Sequence, residues 1–332
     1  MRCRKCRERA VIHMRQHKLA LCRDHYLAWI PEQTERFIRK YRMFTRDEPV
    51  LVAVSGGKDS LALWDVLLRL GYRADGLYLG LGIDGDIGYS DASYAKIRAF
   101  AEQHPEARLH VLDIRETYGE SIPELAQRTR RGKGKPCSVC GLVKRHEMNR
   151  IAHELGYPVL ATGHNLDDEV AVLFQNTLHW NTGYLARQYP VLPGGDGFAR
   201  KVKPFCRFYE RETAAYAILR GIDYIYDECP YSVGATTIYY KELLDRLEAD
   251  RPGAKLSFYL SFLRAKDQDG LFAHVQEGER AEMHPCSRCG QPTTAPDLCA
   301  FCRLWPEEVL ERPTETFIPL TLAPVAEPPE AA

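Results

Sequence analysis

Four apolar residues, Leu51-Val52-Ala53-Val54, run without a break into Ser55-Gly56-Gly57-Lys58-Asp59-Ser60, and a helical apolar pattern follows from Leu61. The run predicts a strand, a tight loop and a helix. Two glycines let the backbone turn sharply, so that the loop N–H groups and the helix N-terminus converge on one anion. Ser55 and Ser60 add hydroxyl donors and Lys58 adds a point charge. Asp59 is placed either to cap the helix or to help hold a magnesium ion. Pyrophosphate suits such a loop. The spacing is neither that of the Walker motif, with four residues between its first Gly and the Gly-Lys pair, nor G-x-G-x-x-G.

The chain around the loop alternates strands and helices. Helical patterns cover Leu61 to Leu70, Ala92 to Gln103 and Leu142 to Leu155, and strand patterns cover Ala74 to Leu79, Arg108 to Leu112 and Pro158 to Thr162. This predicts an α/β fold, a parallel sheet with helices on both faces and its ligands at the carboxyl ends of the strands. There the segments Ser55–Ser60, Tyr78–Gly82 and Gly163–Asp168 meet. A helix over Glu210–Leu219, a further short strand at Tyr224–Tyr226 and two helices within 236–266, broken at Pro252-Gly253, complete the expectation.

Eleven cysteines fall into three groups with one left over. Cys3 and Cys6 are followed by Cys22 and His25, and Cys286 and Cys289 by Cys299 and Cys302. Each set is a pair of knuckles at the spacing of a tetrahedral zinc site. Four protein ligands leave no open position for water, so both sites are expected to be structural, stabilising short segments that lack a core. The third group is Cys137, Cys140 and the distant Cys229. Three cysteines without a fourth ligand suit an iron–sulfur cluster with one open corner, a zinc site lacking a ligand, or a redox dithiol, and spacing does not choose among them. Cys206 has no partner at metal spacing and reads as a buried small hydrophobe.

With 332 residues and 45% hydrophobic content, the chain is long enough for one main domain with smaller attachments. The formal net charge of +0 conceals an asymmetry. Residues 1–46 hold thirteen Lys or Arg against four Asp or Glu, and residues 128–150 hold eight against one. Residues 306–332 hold six Glu and one Arg among many prolines, an acidic tail expected to be disordered. The basic segments suit a polyanion such as RNA. No apolar stretch is long enough to cross a membrane and no signal-like segment opens the chain, so a soluble cytoplasmic protein is expected.

A second polar motif, Gly163-His164-Asn165-Leu166-Asp167-Asp168-Glu169, follows the strand ending at Thr162. Asn165 or Asp167 can cap the helix that starts there, and a carboxylate at this strand end can bind magnesium or receive a proton. Lys144, one helical turn after Cys140, projects from the same face as the cysteines.

Ser-Gly-Gly-x-Asp-Ser after a strand resembles the PP-loop ATP pyrophosphatases. Zinc knuckles at both ends, Ser55–Ser60, Cys137-x-x-Cys140, Ala161–Asp168 and Cys229-Pro230 stand in the order seen in the TtuA/Ncs6 family of tRNA 2-thiouridine synthetases, and the chain resembles that family from Cys3 to about Trp305. Within it, the bacterial branch acting on 5-methyluridine 54 of the T-loop is the most similar. The resemblance implies a [4Fe-4S] cluster on Cys137, Cys140 and Cys229. It implies ATP bound through Ala53, Ser55, Gly56, Gly57, Lys58, Asp59, Ser60, Tyr78, Lys144 and Gly163, with Mg2+, and Lys144 and Asp168 as the catalytic pair. Two structural Zn2+ ions and a ubiquitin-like sulfur carrier ending in a thiocarboxylate are also implied, and several PP-loop thiolases are homodimers. The expected division is a zinc finger over 1–30, a helical linker over 31–47, the PP-loop domain over 48–270, a second zinc finger over 271–305 and the tail. Rival readings are a wobble-uridine or cytidine tRNA thiolase of the same superfamily, and a non-enzymatic zinc-ribbon RNA-binding adaptor.

Overall fold

The computed structural model describes residues 1–84, 88–195, 197–273, 275 and 283–310, and the backbone of 318–320. A short hairpin of β1 (Ile12–Met14) and β2 (Leu19–Leu21) leads into α1 (Arg23–Lys40), which runs unbroken across the expected finger–linker boundary at residue 30. The central sheet then begins with β3 (Val50–Ala53), α2 (Lys58–Arg69), β4 (Ala74–Gly80), α3 (Tyr89–Glu102) and β5 (Leu109–Asp113). Two short helices, α4 (Ile114–Tyr118) and α5 (Ile122–Arg128), precede the long α6 (Pro136–Glu154), β6 (Val159–Thr162) and α7 (Leu166–Leu178). After α8 (Thr182–Arg187), a hairpin of β7 (Val191–Leu192) and β8 (Arg200–Val202) leads to α9 (Glu210–Arg220), α10 (Thr236–Asp250) and α11 (Ala254–Asp269). Hairpin β9 (His284–Pro285) and β10 (Pro292–Thr293) carries the second ribbon, and β11 is Ile318–Leu320.

The sheet order is β11-β5-β4-β3-β6-β8-β7, with β3, β4, β5, β6 and β8 parallel. The expected parallel sheet is thus present, with antiparallel strands at both edges. Period-2 alternation sets its two faces. Val50 and Val52 join the core shared with α1, α2, α9 and the first ribbon, whereas Leu51 joins the core shared with α4, α5, α6 and the second. The chain leaves β3 toward β4 and β5, then returns to place β6 on the other side of β3. The switch point therefore lies between β3 and β6, where open α/β sheets hold their ligands.

Two expectations change. Tyr224–Tyr226 is not a strand, because β8 and β7 already continue the sheet beyond β6 and the Ile225 N–H instead donates to the Gly56 carbonyl at 2.9 Å. Within the tail expected to be disordered, Glu307–Leu310 forms a helical turn and Ile318–Leu320 pairs with β5. An edge strand tolerates the proline at its centre because one side needs no ladder donor. The rest of the tail, 311–317 and 321–332, lies outside the described residues. No helix among the described residues is long and apolar enough to cross a membrane.

Candidate nucleotide and cysteine site

The loop after β3 folds as its glycines require. Gly56 has a positive φ of 78°, and a Cβ there would lie 2.8 Å from the Ser93 carbonyl oxygen. Ser60 Oγ accepts the Ser55 N–H at 3.1 Å and donates to the Gly57 carbonyl at 3.0 Å, which ties the loop into a ring. Gly163, at the end of β6, approaches so closely that a Cβ would meet the Ser60 nitrogen at 2.8 Å. Both loops of the switch point therefore depend on a residue without a side chain.

Asp59 does not cap α2, whose N-cap is Gly57 without a side-chain bond. Its carboxylate accepts from Thr213 Oγ1 and from Asn165 Nδ2 at 3.3 Å, and pairs with Lys58 at 3.1 Å. Burial pushes the Asp59 carboxyl above its usual range, against the pull of Lys58. Asn165 caps α7: its side chain accepts the Asp168 N–H at 3.2 Å, while Asp168 Oδ2 accepts the Asn165 N–H at 3.0 Å. This capping box leaves Asp168 Oδ1 for other work. Asp167 is structural; it accepts the Glu210 N–H at 2.9 Å and pairs with the buried Lys255.

Three partners in this site are invisible to motif reading. Glu210 bridges Lys58 at 2.7 Å and Lys241 at 3.2 Å, and Lys241 also pairs with Asp168 Oδ1 at 2.5 Å. Despite its burial, the two lysines hold the Glu210 carboxyl down at about 2, and Asp168 and Glu210 hold the Lys241 ammonium well above its ordinary range. Thr213 is the third. All three stand on α9 and α10, remote in sequence from both motifs and carrying no spacing signal of their own.

Tyr78 lies at the strand end as expected, but its side chain is committed elsewhere. The hydroxyl donates to the Ser90 carbonyl at 2.8 Å and the ring stacks on Tyr94. Ala53 ends β3 beside Thr162 of β6.

Helix α6 begins six residues earlier than its apolar pattern indicates, so that Cys137 and Cys140 occupy its first turns. Cys137 Sγ donates to the Tyr231 carbonyl at 3.3 Å, which brings the Cys229 loop against the helix. Burial pushes the Cys140 thiol up and Lys144 partly offsets this, while Cys229 and Cys137 lie close enough to add their charge. Among the described residues these three sulfurs are not gathered within 4.8 Å of one another. They form one neighbourhood, not a closed quartet. Two thiols in the first turns of α6 and a third on the loop beside it, with no fourth ligand gathered among the described residues, are the donor set of a cluster that keeps one metal corner free, and to that extent the residues fit a [4Fe-4S] group. The exposed Lys144 is near enough for its charge to be felt at both Cys140 and His164.

The terminal quartets do close. The ligand atoms of Cys3, Cys6, Cys22 and His25, and those of Cys286, Cys289, Cys299 and Cys302, lie within 4.8 Å of one another. The Cys6–Cys22 sulfurs are 3.6 Å apart and the Cys289–Cys299 sulfurs 3.8 Å. Tetrahedral zinc with bonds of about 2.3 Å separates sulfurs by about 3.8 Å, so both sites fit zinc. All eleven cysteines are free of disulfides. Cys206 is fully buried and its thiol is pushed up to about 12 by desolvation, as befits a small hydrophobe.

Comparison with known proteins follows this geometry. Residues 2–27 match the family model of the 2-thiouridine synthetase TtuA N-terminal LIM domain. The chain is 49% identical over 326 residues to the tRNA-5-methyluridine(54) 2-sulfurtransferase of Thermus thermophilus, covering 94% of this chain and 98% of that protein. It is 43% identical over 307 residues to the Pyrococcus horikoshii protein of the same name, with 92% and 94% covered. The U34-tRNA thiolase NcsA from Methanococcus maripaludis, solved with its [4Fe-4S] cluster, shares the fold at a TM-score of 0.72 and 22% identity, with 92% of this chain and 95% of that one covered. The chain belongs to the TtuA family of tRNA-5-methyluridine(54) 2-sulfurtransferases, enzymes named for transferring sulfur to tRNA.

Proposed function

We propose that this chain catalyses ATP-dependent 2-thiolation of 5-methyluridine 54 in the tRNA T-loop. The observation that carries the reading is the segment Ile225–Cys229, which is bonded to the pyrophosphate loop at Gly56 and reaches the cysteine neighbourhood within four residues. This contact supports nucleotide activation and sulfur delivery at one cleft. Family membership at 49% identity supports the substrate.

In this reading the loop N–H groups of Ser55–Ser60 and Lys58 hold the ATP pyrophosphate, with Asp59 and Asp168 as the carboxylates for Mg2+. The uracil C2 oxygen attacks the α phosphorus, pyrophosphate leaves, and an adenylate forms on the base. Lys144 offsets the charge developing on the α phosphate or at C2, and Asp168 Oδ1 holds the metal or orients the base. A sulfur nucleophile then adds at C2 and AMP departs with the oxygen. A [4Fe-4S] cluster, held by Cys137, Cys140 and Cys229, supplies a metal corner that the protein leaves unligated, open to an external sulfur ligand.

The remaining assignments follow the same reading. Two Zn2+ ions hold the ribbons over 1–30 and 271–305, residues 31–47 link the first ribbon to the catalytic domain over 48–270, and residues 306–332 are an appendage. A thiocarboxylated ubiquitin-like protein donates sulfur, the enzyme works in the cytoplasm, and it works as a homodimer. The T-loop base must be splayed out to reach the cleft, with basic segments on the phosphates, so tRNA affinity falls steeply with salt.

The test is an anaerobic assay of the reconstituted protein with ATP, sulfide and unmodified-C2 tRNA, read as 2-thio-5-methyluridine by mass spectrometry. The product is expected with the unaltered chain and absent with Cys137→Ala or Lys144→Ala. Intact thiolation by Cys137→Ala overturns the assignment of the cysteines.

A further inference from the structure

Lys241 stands on α10, whose packing against α7 brings it to the mouth of the pyrophosphate loop. Its ammonium lies 2.5 Å from Asp168 Oδ1 and 3.2 Å from Glu210 Oε2; Glu210 Oε1 takes Lys58 at 2.7 Å, and Lys58 reaches Asp59 at 3.1 Å. Carboxylates and ammoniums thus alternate around the loop, three of one sign and two of the other. The surplus is negative. A polyphosphate entering such a ring is repelled unless the carboxylates exchange lysine for a divalent cation, which frees the ammoniums for the phosphates.

The neighbouring lysine shows what a purely structural pair looks like here. Lys255, from α11, is 3% exposed, pairs with the buried Asp167 and with Asp245 of α10, and pins α10 and α11 to the start of α7. That clamp ties α10 to α11 and α7 independently of Lys241. The Lys241 side chain keeps 24% of its surface exposed, and its four-carbon stem can swing between partners.

We propose that Lys241 is a phosphate-binding residue of the adenylation site. In this structure it neutralises Asp168 and Glu210; with Mg2+ and ATP bound, Asp168 turns to the metal and Lys241 to the pyrophosphate oxygens, a second cation beside Lys58 on the charge that gathers on the leaving group. The proposal rests on the ATP-dependent reading above. It makes Lys241 a ligand of the substrate that no sequence motif marks.

The experiment is calorimetric titration of α,β-methylene-ATP with Mg2+ into the full-length protein, paired with Mn2+ titration followed by electron paramagnetic resonance without nucleotide. Lys241→Met is expected to weaken analogue binding about 10- to 100-fold, the worth of a charge-assisted hydrogen bond, and to tighten Mn2+ binding because two carboxylates lose their counter-ion. Lys241→Arg keeps the cation and is expected to stay within about threefold of the unaltered chain. Unchanged analogue binding by folded Lys241→Met overturns the proposal. So does equal loss in Lys241→Arg and Lys241→Met, which also serves if the methionine variant folds poorly. Failure of the unaltered chain to bind the analogue overturns the ATP reading itself, and this inference with it.

Discussion

The two terminal ribbons each pair two knuckles of Cys-x-x-(Cys/His) but differ in what surrounds them. The first shares the core on the face of the sheet built with α1, α2 and α9, through Met14, Leu21, Cys22 and Tyr26, and specific bonds tie it to α9. Tyr26 Oη donates to the Glu212 carbonyl at 2.6 Å, Gln16 Nε2 to Glu212 Oε1 at 2.6 Å, and Arg23 to the Leu219 carbonyl at 2.9 Å. Its outer side is open and basic, with Arg2, Arg4, Arg7, His13 and Lys18 lining a recess of about 590 Å3. The second ribbon is built into the opposite core. Cys286, Cys299 and Cys302 are buried there with Phe301 and Trp305, and the Trp305 ring stacks on Tyr118 at 4.7 Å.

The second ribbon also grips α6, the helix that presents Cys137, Cys140 and Lys144. Phe301 stacks on His146 at 3.6 Å, His146 Nε2 lies 3.5 Å from Cys289 Sγ, and Asn149 donates to Gln291 at 3.1 Å. One ribbon leaves a basic recess open; the other packs against the helix that carries Cys137 and Cys140. The same four-residue device has a basic, open outer side in one place and an apolar, packed one in the other.

Five changes sharpen that contrast or break it. Cys302→Ala removes a ligand from the buried ribbon and is expected to cost about 4 kcal/mol or more of stability and to loosen α6, read by thermal melting and by faster amide exchange around Cys140. Cys6→Ala, at the exposed ligand, is expected to leave that exchange unchanged. Equal loosening by both contradicts the contrast.

The next effect in size is a pH dependence at the root of the first ribbon. Burial raises the Glu212 carboxyl to about 8, while in the unfolded chain it titrates near 4.5. The folded chain therefore keeps a proton that the unfolded chain has released, and stability falls as pH rises from about 4.5 to about 8. Glu212→Gln is expected to raise the melting temperature at pH 9 by an amount equivalent to a few kcal/mol, and to raise it much less at pH 5.

His146→Ala is expected to speed zinc release from the second ribbon about 10- to 100-fold, read with a chromogenic chelator, and to leave the first ribbon untouched. The smallest change is joint replacement of Arg2, Arg4 and Arg7 by Gln. It is expected to weaken tRNA binding and to lower the slope of log affinity against log salt by about one for each phosphate no longer neutralised, with the melting temperature unchanged.

Legibility in the sequence follows the range of the interactions. The loop after β3, the capped start of α7 and the two terminal cysteine quartets are local patterns, and the structure forms each at the expected residues. The apolar pattern of α6 starts too late because its first turns, Pro136-Cys137-Ser138-Val139-Cys140, carry little apolar periodicity. Tyr224–Tyr226 resembles a strand because aromatic and β-branched residues also suit a segment laid over a loop. Lys241, Glu210 and Thr213 are illegible for a different reason: their partners are brought to them only by the packing of α9 and α10 on α2 and α7.

The most direct measurement is a mass-spectrometric nucleoside inventory of bulk tRNA from cells with and without this gene, grown identically. Selective loss of 2-thio-5-methyluridine, with wobble 2-thiouridine and 2-thiocytidine unchanged, is the predicted result. Loss of a wobble or cytidine thionucleoside instead, or no change in any thionucleoside, contradicts the account.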